Sequence, residues 1–403
     1  MKTKVLSLVQ GEYLSHTIKA LEISKELRAT GKYDITFSGT GEYMQLAENT
    51  GFKCIRTPTL SKLLIGGTLE KQLSPKIFTR ENVKYYFDIE DKLIQDQKPN
   101  IILRDHFREM AGVAAKKQGV FDVNIQLASC SPFYFIDFRI SQSPRMLEHF
   151  IPKILLQKVG KQIHKSQIKK IYQPIKELIQ EIGLPEKEGF GGLEADLILL
   201  ADEPDFFPLK RLRDNYKFIG IPFNFDNYKA PIWIEGFAKD PRKKVVITCG
   251  SSGLNDKNNL FVNTFKDKNL AIAINTSSGI SSNGFYGGDN FDVSKVAPYA
   301  DALITHGGIG STYLGLKNGV PILSIPNHFE QEINSNRLER IGAGIFLYPD
   351  RVSPKNINKN IERLLNNSSF KRNAEAFSKK MIKNPAKLAV RYIEEGYQKF
   401  KNN

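Results

Sequence analysis

Along this chain, segments with the hydrophobic pattern of β-strands alternate with segments that have the pattern of α-helices. Apolar runs of strand length, such as 4–9 and 33–37, are separated by a stretch with helical spacing. The apolar positions of that first stretch are Ile18, Leu21, Ile23 and Leu27. Ser15 is placed to cap this predicted helix and Gly31 to end it. Strand, helix and strand in this order predict a βαβ unit and therefore a parallel sheet.

The same alternation starts again in the second half of the chain. Further strand-like runs occur at 244–248, 270–275 and 302–305. Between the halves, 223–242 contains two prolines and is predicted to be a linker. With 403 residues the chain is long enough for two separate cores. The predicted organisation is a first domain at 1–222, a second at 243–385 and a last helix at 386–403.

Two stretches lack a clear period and are predicted to be loops. Residues 60–88 mix glycines with lysines, which is typical of a surface loop over a binding cleft. Residues 277–290 are polar and rich in glycine. Neither stretch is expected to contribute a strand or a helix.

The most informative stretch runs from Asp301 to Gly344. An apolar strand is followed by the turn His306-Gly307-Gly308-Ile309-Gly310, and Ser311-Thr312 then lead into a helix. Glycines let the backbone approach a ligand, and the first N–H groups of a helix attract anions. A second buried strand, 320–325, ends before a polar cluster that includes Glu330, Gln331 and Asn334. Ligands of α/β sheets lie at the carboxyl ends of strands, so this pattern predicts a ligand with a diphosphate and several hydroxyl groups.

These motifs carry a resemblance to a known family. The order HGGxGS, GVPxLxxP, EQxxN and GxG resembles the donor-binding half of GT-B glycosyltransferases. It is similar to the UDP-glycosyltransferases and to the lipid-linked N-acetylglucosaminyltransferase of peptidoglycan synthesis. The resemblance implies two Rossmann-like parallel-sheet domains that face each other across a cleft, with a C-terminal helix crossing back to the first domain. It also implies an inverting transfer of a sugar from a UDP-sugar to an acceptor hydroxyl.

The resemblance assigns donor-binding roles to residues of the second domain. It places the Gly250 loop near the donor phosphates, Phe291 beside the nucleobase, the glycine turn on the diphosphate and the polar cluster on the sugar. The implied donor-binding residues are Gly250, Ser251, Ser252, Phe291, His306, Gly307, Gly308, Gly310, Ser311, Thr312, Glu330, Gln331 and Asn334. A buried histidine that bonds only to backbone is the alternative for His306.

On the acceptor side, the family carries a histidine in the loop after the first strand and a basic residue three positions later. Here these are His16 and Lys19, and the loop begins at Gly11. The family's aspartate that hydrogen-bonds this histidine matches Asp105, which follows the strand at 101–103. A carboxylate on one imidazole nitrogen leaves the other free to take a proton from a hydroxyl. The alternatives are an exposed His16 at a helix start and an Asp105 that caps the next helix.

Composition limits the remaining possibilities. The net charge is +15, which attracts anions of any kind and also fits a lysine-rich surface without a partner. Basic and aliphatic residues interleave over 139–176, a pattern typical of contact with an anionic membrane surface that could present a lipid-linked acceptor. The alternative for this segment is a solvated helical pair that covers the sheet. Cys54, Cys130 and Cys249 lack the spacing of metal ligands and are expected to be core thiols. No apolar run is long enough to span a bilayer, so a cytoplasmic or peripheral location is expected.

Neither a cofactor nor a metal is expected, because the nucleotide-sugar is a substrate and no DxD motif occurs. Two other functions stay open. One is a sugar-nucleotide hydrolase or epimerase on the same fold. The other is a basic nucleic-acid-binding protein, which the absence of any nucleic-acid-binding motif disfavours.

Overall fold

The computed structural model describes most of the chain. Its described residues are 2–58, 78–131, 172–185, 194–209, 212–223, 230–248, 258–275, 284–288, 291–327 and 329–402. The chain divides into two compact units. The first contains Met1–Phe223 together with Ile382–Asn403, and the second contains Asn224–Met381.

The first unit is built on a parallel sheet. In the described residues its strand order is β3-β2-β1-β4-β5-β6-β7. The strands are β1 Thr3–Gln10, β2 Tyr33–Thr40, β3 Lys53–Arg56, β4 Ile101–Asp105, β5 Phe121–Gln126, β6 Leu197–Leu200 and β7 Tyr216–Phe218. β1 lies between β2 and β4. The strand order therefore runs outward from β1 in both directions, with β2 and β3 on one side and β4 to β7 on the other. Loops after β1 and β4 therefore meet at one edge, where α/β sheets bind ligands.

Helices cover this sheet. They are α1 Leu14–Ala29, α2 Met44–Asn49, α3 Arg80–Gln97 and α4 Glu109–Lys117, with helical residues at 172–181. Leu6, Leu8 and Ile102 of the sheet pack in one core with Phe87 of α3 and Val113 of α4. Sheet strands that are buried on both faces explain the continuous apolar runs in the sequence.

The second unit repeats this architecture. Its sheet, in the described residues, has the order β10-β9-β8-β11-β12-β13. The strands are β8 Lys243–Thr248, β9 Leu270–Asn275, β10 Phe285–Gly288, β11 Ala302–Thr305, β12 Ile322–Ser324 and β13 Gly344–Phe346. The helices are α5 Ile234–Lys239, α6 Asn258–Phe265, α7 Val293–Val296, α8 Ile309–Lys317, α9 Phe329–Arg340, α10 Pro354–Asn366 and α11 Ser368–Lys380. Val245, Ile304 and Leu323 pack against Phe261 of α6 and Ile361 of α10.

The C-terminal helix, α12 Pro385–Asn402, returns to the first unit. The rings of Tyr397 and Phe400 lie 5.7 and 5.2 Å from that of Phe121 on β5. Lys32 Nζ, in the loop after α1, lies 2.9 Å from Glu394 Oε1. Among the described helices, none combines the length and the apolarity that a membrane span requires.

Several local predictions were wrong. Residues 80–88, predicted as loop, form the start of α3, because Thr79 accepts the N–H of Asn82 and caps the helix. Phe285–Gly288, also predicted as loop, pairs in parallel with β9. The cap position of α1 is Tyr13 rather than Ser15, and no side chain accepts there. Cys54 and Cys130 are half-buried rather than core.

The predicted linker also differs from the structure. Residues 230–242 of that stretch belong to the second unit and include the helix α5. Phe237 of α5 is buried, and its ring contacts that of Tyr286 on β10. The prolines that suggested a linker flank this short helix instead of interrupting an extended chain.

Candidate functional site

The candidate site of the first unit is a histidine and an aspartate at the carboxyl edge of its sheet. Asp105 is the last residue of β4, and His16 lies in the first turn of α1, which follows β1. Because β1 and β4 are neighbours, the two side chains meet, and His16 Nδ1 lies 2.7 Å from Asp105 Oδ2. The side chain of Asp105 is 1% exposed and that of His16 is 15% exposed. The predicted pair is therefore formed, with an imidazole that ligands can reach.

Asp105 is held in place by its own loop. Its Oδ1 accepts the backbone N–H of Phe107 at 3.0 Å. Burial alone would raise the pKa of Asp105. The charges of His16, His106 and Lys19 and the hydrogen bond from His16 outweigh burial, and they hold the pKa of Asp105 well below its usual range. The carboxylate therefore stays charged at neutral pH, and it fixes the Nδ1–H tautomer of His16. The alternative role as a helix cap does not apply, since Arg108 occupies the cap position of α4.

Gly11 and Lys19, the two other residues predicted on the acceptor side, are both buried. A Cβ at Gly11 would lie 2.0 Å from the carbonyl oxygen of Thr40, so this glycine lets two loops pack closely. Lys19 is buried beneath the pair, where its charge lowers the pKa of Asp105. A direct contact of either residue with an acceptor stays a prediction.

Sequence reasoning gave no role to His106. Its Nδ1 lies 3.6 Å from Asp105 Oδ1, and its ring stacks on that of His16 at 5.6 Å between centroids. Burial lowers the pKa of His106 to about 3, so the ring is neutral at physiological pH. Ligand atoms of His16, Asp105 and His106 lie within 4.8 Å of one another, a spacing at which they could hold a cation. Such binding would compete with the His16–Asp105 hydrogen bond.

The second unit has a candidate binding site of its own, the glycine turn between β11 and α8. Gly307 has a φ of +79°, and a Cβ there would lie 2.7 Å from Ser324 Oγ and 2.9 Å from the Gln331 carbonyl oxygen. Asn334 Nδ2 donates to the Gly307 carbonyl at 2.9 Å. The turn is thus fixed by the neighbouring β12–α9 segment, and only glycine fits at its centre.

The N-terminus of α8 opens directly from this turn. Gly308 is the N-cap residue, and Ser311 and Thr312 lie in the first helical turn. The helix therefore begins earlier in the chain than the sequence predicted. Ser311 Oγ lies 2.5 Å from Thr305 Oγ1 and donates to the Gly308 carbonyl at 3.0 Å. The first backbone N–H groups of a helix have no partner within it, and with the helix dipole they suit an anion.

The polar cluster after β12 is largely buried and supports the turn. Gln331 Oε1 accepts the N–H of Asn327 at 2.8 Å. Ser335 Oγ donates to the Gln331 carbonyl at 2.6 Å and lies 2.6 Å from Ser324 Oγ. The structure thus brings Gln331 and Asn334 against the glycine turn, while Glu330 lies half-buried at the start of α9. Their predicted contacts with a sugar stay predictions.

The remaining predicted donor-binding residues are the Gly250 loop, Phe291 and His306. Gly250, Ser251 and Ser252 lie outside the described residues. Phe291 packs edge-on against Trp233, with ring centroids 4.9 Å apart, in an aromatic cluster with Phe237 and Tyr286. His306 is buried, and a Cβ at Gly308 would lie 2.5 Å from its Nε2. Both alternatives for His306 stay open.

Comparison with known proteins supports the fold and the activity class. Residues 289–394 match the family model described as Erythromycin biosynthesis protein CIII-like, C-terminal domain. A PGL/p-HBAD biosynthesis glycosyltransferase of Mycobacterium tuberculosis is 22% identical over 93% of this chain and 89% of its own. The crystal structure of the calicheamicin glycosyltransferase CalG4 aligns with a TM-score of 0.75 and 16% identity over 98% of both chains.

The chain has the GT-B fold. Its sequence resembles the UDP-glycosyltransferases, as its motifs predicted, and the matching proteins are named glycosyltransferases. The spinosyn rhamnosyltransferase SpnG, solved with thymidine diphosphate, also aligns, with a TM-score of 0.70 and 17% identity over 98% of this chain and 100% of its own. The likeness to the peptidoglycan N-acetylglucosaminyltransferase stays a prediction.

Proposed function

We propose that this protein transfers a sugar from a nucleotide-sugar to an acceptor hydroxyl, with His16 as the general base. The observation that carries the proposal is the 2.7 Å contact between His16 Nδ1 and Asp105 Oδ2. Asp105 holds the proton on Nδ1, so Nε2 is free to accept one. General-base assistance of this kind accelerates reactions about 100- to 10,000-fold.

The proposed step is a single displacement with inversion. The acceptor hydroxyl gives its proton to His16 Nε2 while its oxygen bonds to the anomeric carbon of the donor. The bond between that carbon and the diphosphate breaks, and the nucleoside diphosphate leaves with the electron pair. The glycine turn at 306–312 would stabilise the leaving diphosphate, because preorganised N–H groups at developing charge each contribute about 3 to 4 kcal/mol.

The donor nucleotide is proposed to be a UDP-sugar or a dTDP-sugar. The sequence motifs resemble the UDP-glycosyltransferases, and a structural neighbour carries thymidine diphosphate. Fixed backbone dipoles could replace a metal at the diphosphate, and no cofactor is proposed. Calorimetric titration with UDP and with dTDP would discriminate between the two bases.

The test of the catalytic pair compares His16→Ala and Asp105→Asn with the wild-type protein. We expect both variants to lower kcat at least 100-fold and to leave nucleotide affinity unchanged, since the pair lies in the first unit and acts on the acceptor. Calorimetry with UDP and dTDP provides the control. Unchanged turnover in His16→Ala would remove this residue from the mechanism.

A water molecule could take the place of the acceptor. The same pair would then activate water, and the protein would be a sugar-nucleotide hydrolase. Donor breakdown without an added acceptor, at a rate equal to any transfer, would favour this alternative. A steep salt-dependent affinity for polynucleotide would instead support the nucleic-acid hypothesis.

A lipid-linked acceptor and contact with an anionic membrane are also proposed. The basic segment 139–176 carries this proposal, and only its last residues, 172–176, belong to the described part of the chain. Each lysine near an anionic surface contributes about 1 kcal/mol. Binding to anionic vesicles should therefore weaken in a variant with Lys165, Lys169 and Lys170 changed to glutamine. Binding equal to that of the wild type would leave this segment as ordinary surface.

A further inference from the structure

His106 is a second histidine beside the catalytic pair, and the proposed mechanism gives it no role. It follows Asp105, the last residue of β4, and its backbone N–H donates to the Ile125 carbonyl on β5 at 3.2 Å. The side chains of His106 and His16 are each 15% exposed. The sheet therefore fixes this second histidine next to an imidazole that ligands can reach.

The ring of His106 faces Asp105 with a nitrogen that makes no hydrogen bond. His106 Nδ1 lies 3.6 Å from Asp105 Oδ1, and in the part of the chain that the structure describes it has no hydrogen-bond partner. The other ring nitrogen, Nε2, lies 3.7 Å from Cys130 Sγ, to which an Nε2–H group can donate. A neutral imidazole carries one N–H, so a proton on Nε2 leaves a lone pair on Nδ1. That lone pair then faces a carboxylate oxygen, an arrangement that a cation would stabilise.

Three side chains place possible metal ligands close together. Ligand atoms of His16, Asp105 and His106 lie within 4.8 Å of one another, and no other group of three or more histidine, cysteine, aspartate or glutamate side chains in the described ranges is spaced in this way. Two imidazole nitrogens and a carboxylate oxygen suit zinc, whereas magnesium prefers oxygen ligands. Bonds from zinc to such ligands are about 2.0 to 2.2 Å long, so rotations of the two rings would bring all three atoms into reach.

Lys19 limits how tightly a cation can bind at this point. It is buried beneath the pair, and its charge acts on both Asp105 and His106. The lysine repels a cation there, while the Asp105 carboxylate attracts it. A divalent ion therefore depends on the carboxylate and the two ring nitrogens together. Removal of the lysine charge should strengthen its binding.

We propose that His16, Asp105 and His106 form an inhibitory site for zinc. A metal bound at His16 Nδ1 takes the lone pair of that nitrogen, so the neutral ring carries its proton on Nε2 instead. In the transfer proposed above, Nε2 is the atom that takes the proton of the acceptor hydroxyl. Zinc would thus convert His16 from a base into a metal ligand. The inhibition rests on the proposed function, whereas the binding of zinc does not.

Calorimetric titration of the full chain with zinc chloride tests the site, and magnesium chloride is the control ion. His16→Ala and His106→Ala each remove one ligand, and Lys19→Met removes the opposing charge. Cys130→Ser tests whether the neighbouring thiol holds the ion instead. Cys54→Ala is its matched control, because Cys54 is also a half-buried cysteine but lies on β3, outside the cluster. Circular dichroism checks that each variant is folded.

We expect zinc to bind the wild-type protein and magnesium not to bind at the same concentrations. Each histidine variant should weaken zinc binding at least about tenfold, because removal of even an outer-shell partner of a metal costs about 10- to 100-fold. Lys19→Met should bind zinc more tightly than the wild type, and Cys54→Ala should bind it equally. Equal zinc affinity of the wild type and both histidine variants would overturn the proposal. Binding that is lost in Cys130→Ser and kept in His106→Ala would also overturn it, because the ion would then lie on sulfur.

Turnover measured on the same samples tests the inhibition. With a nucleotide-sugar donor and a simple phenol as acceptor, zinc should lower the rate of the wild-type protein, and a chelator should restore it. His106→Ala should need about tenfold more zinc for the same fractional loss of its own rate. Equal sensitivity of the two proteins would place the inhibition elsewhere, for example in capture of zinc by the donor diphosphate, and would overturn the inhibitory role.

Nucleotide binding separates this proposal from the transfer function. Zinc binding that depends on both histidines, in a protein without transfer activity or affinity for UDP or dTDP, would support the metal site and count against sugar transfer. Transfer that zinc does not slow, at concentrations that fill the site, would overturn the inhibitory role and leave the transfer function in place.

Discussion

Replacing Gly307 with alanine tests whether the glycine turn is as tightly held as its contacts indicate. Its φ of +79° is unfavourable for alanine by about 1 to 2 kcal/mol. The added Cβ would also lie 2.7 to 2.9 Å from Ser324 Oγ, Ser335 Oγ and the Gln331 carbonyl oxygen. Overpacking of this kind costs about 1 to 3 kcal/mol, so a total loss of about 2 to 5 kcal/mol is expected.

Gly342→Ala is the matched control. Gly342 lies in the same unit with a φ of +68°, and its close neighbour is the amide end of Asn373, which can move. We expect the backbone penalty alone there, about 1 to 2 kcal/mol. The difference in unfolding free energy between the two variants therefore gives the cost of the steric contacts around Gly307.

Urea unfolding followed by tryptophan fluorescence gives the measurement. The chain has one tryptophan, Trp233, which packs in the second unit against Phe291, so its emission reports the unit that contains both glycines. A lower midpoint at constant slope is a loss of stability. Equal midpoints for Gly307→Ala and Gly342→Ala would refute the argument that the contacts around Gly307 are rigid. Calorimetry should also show weaker nucleotide binding for Gly307→Ala alone.

Two further predictions concern buried charges of the first unit. Arg104 is fully buried and its Nε lies 2.8 Å from Asp122 Oδ1, while its Nη1 lies 3.5 Å from Glu109 Oε2. Asp122→Ala removes the hydrogen-bonded partner and leaves this buried charge only the longer contact with Glu109, so it should cost about 3 kcal/mol in urea unfolding. A loss below 1 kcal/mol would contradict this. Burial raises the pKa of Glu203 to about 7, although its carboxylate accepts the N–H of Ile382 at 3.0 Å. The native state therefore holds a proton that the unfolded chain releases near pH 4.3, so stability falls as pH rises between these values, by up to about 3 kcal/mol. Glu203→Gln keeps an acceptor for Ile382, and it should lose this pH dependence between pH 5 and pH 8. An unchanged slope would show that Glu203 is not its source.

The sheet core could be predicted from the sequence because its strands are buried on both faces. Continuous apolar runs such as 270–275 and 302–305 match β9 and β11 as the structure has them. The start of α3 was missed because its first turns are polar and its helical state depends on the Thr79 cap and on burial of Val83 and Phe87. The strand β10 was missed because two glycines gave it the composition of a turn.

The contact between His16 and Asp105 could be predicted from the sequence for a similar reason. Each partner of the pair follows a recognisable strand, and neighbouring strands of a parallel sheet bring such ends together. The buried bond between Arg108 Nε and Glu90 Oε1 could not be predicted, because it joins a loop and a helix that share no motif. That contact depends on how α3 packs against the sheet. Local sequence carries no signal for that arrangement.

The loop after β4 has two roles in the first unit: it orients His16, and it is tied to the end of β1. Asp105 orients His16, and three residues later Arg108 crosses to bond Glu90 and the Val9 carbonyl. The guanidinium ties this loop to the end of β1, the strand from which the His16 loop departs. Any movement of Arg108 would therefore shift Asp105 relative to His16. The bonds from Arg108 to Glu90 and to the Val9 carbonyl, at 2.6 and 3.1 Å, therefore help to hold Asp105 where it can orient His16.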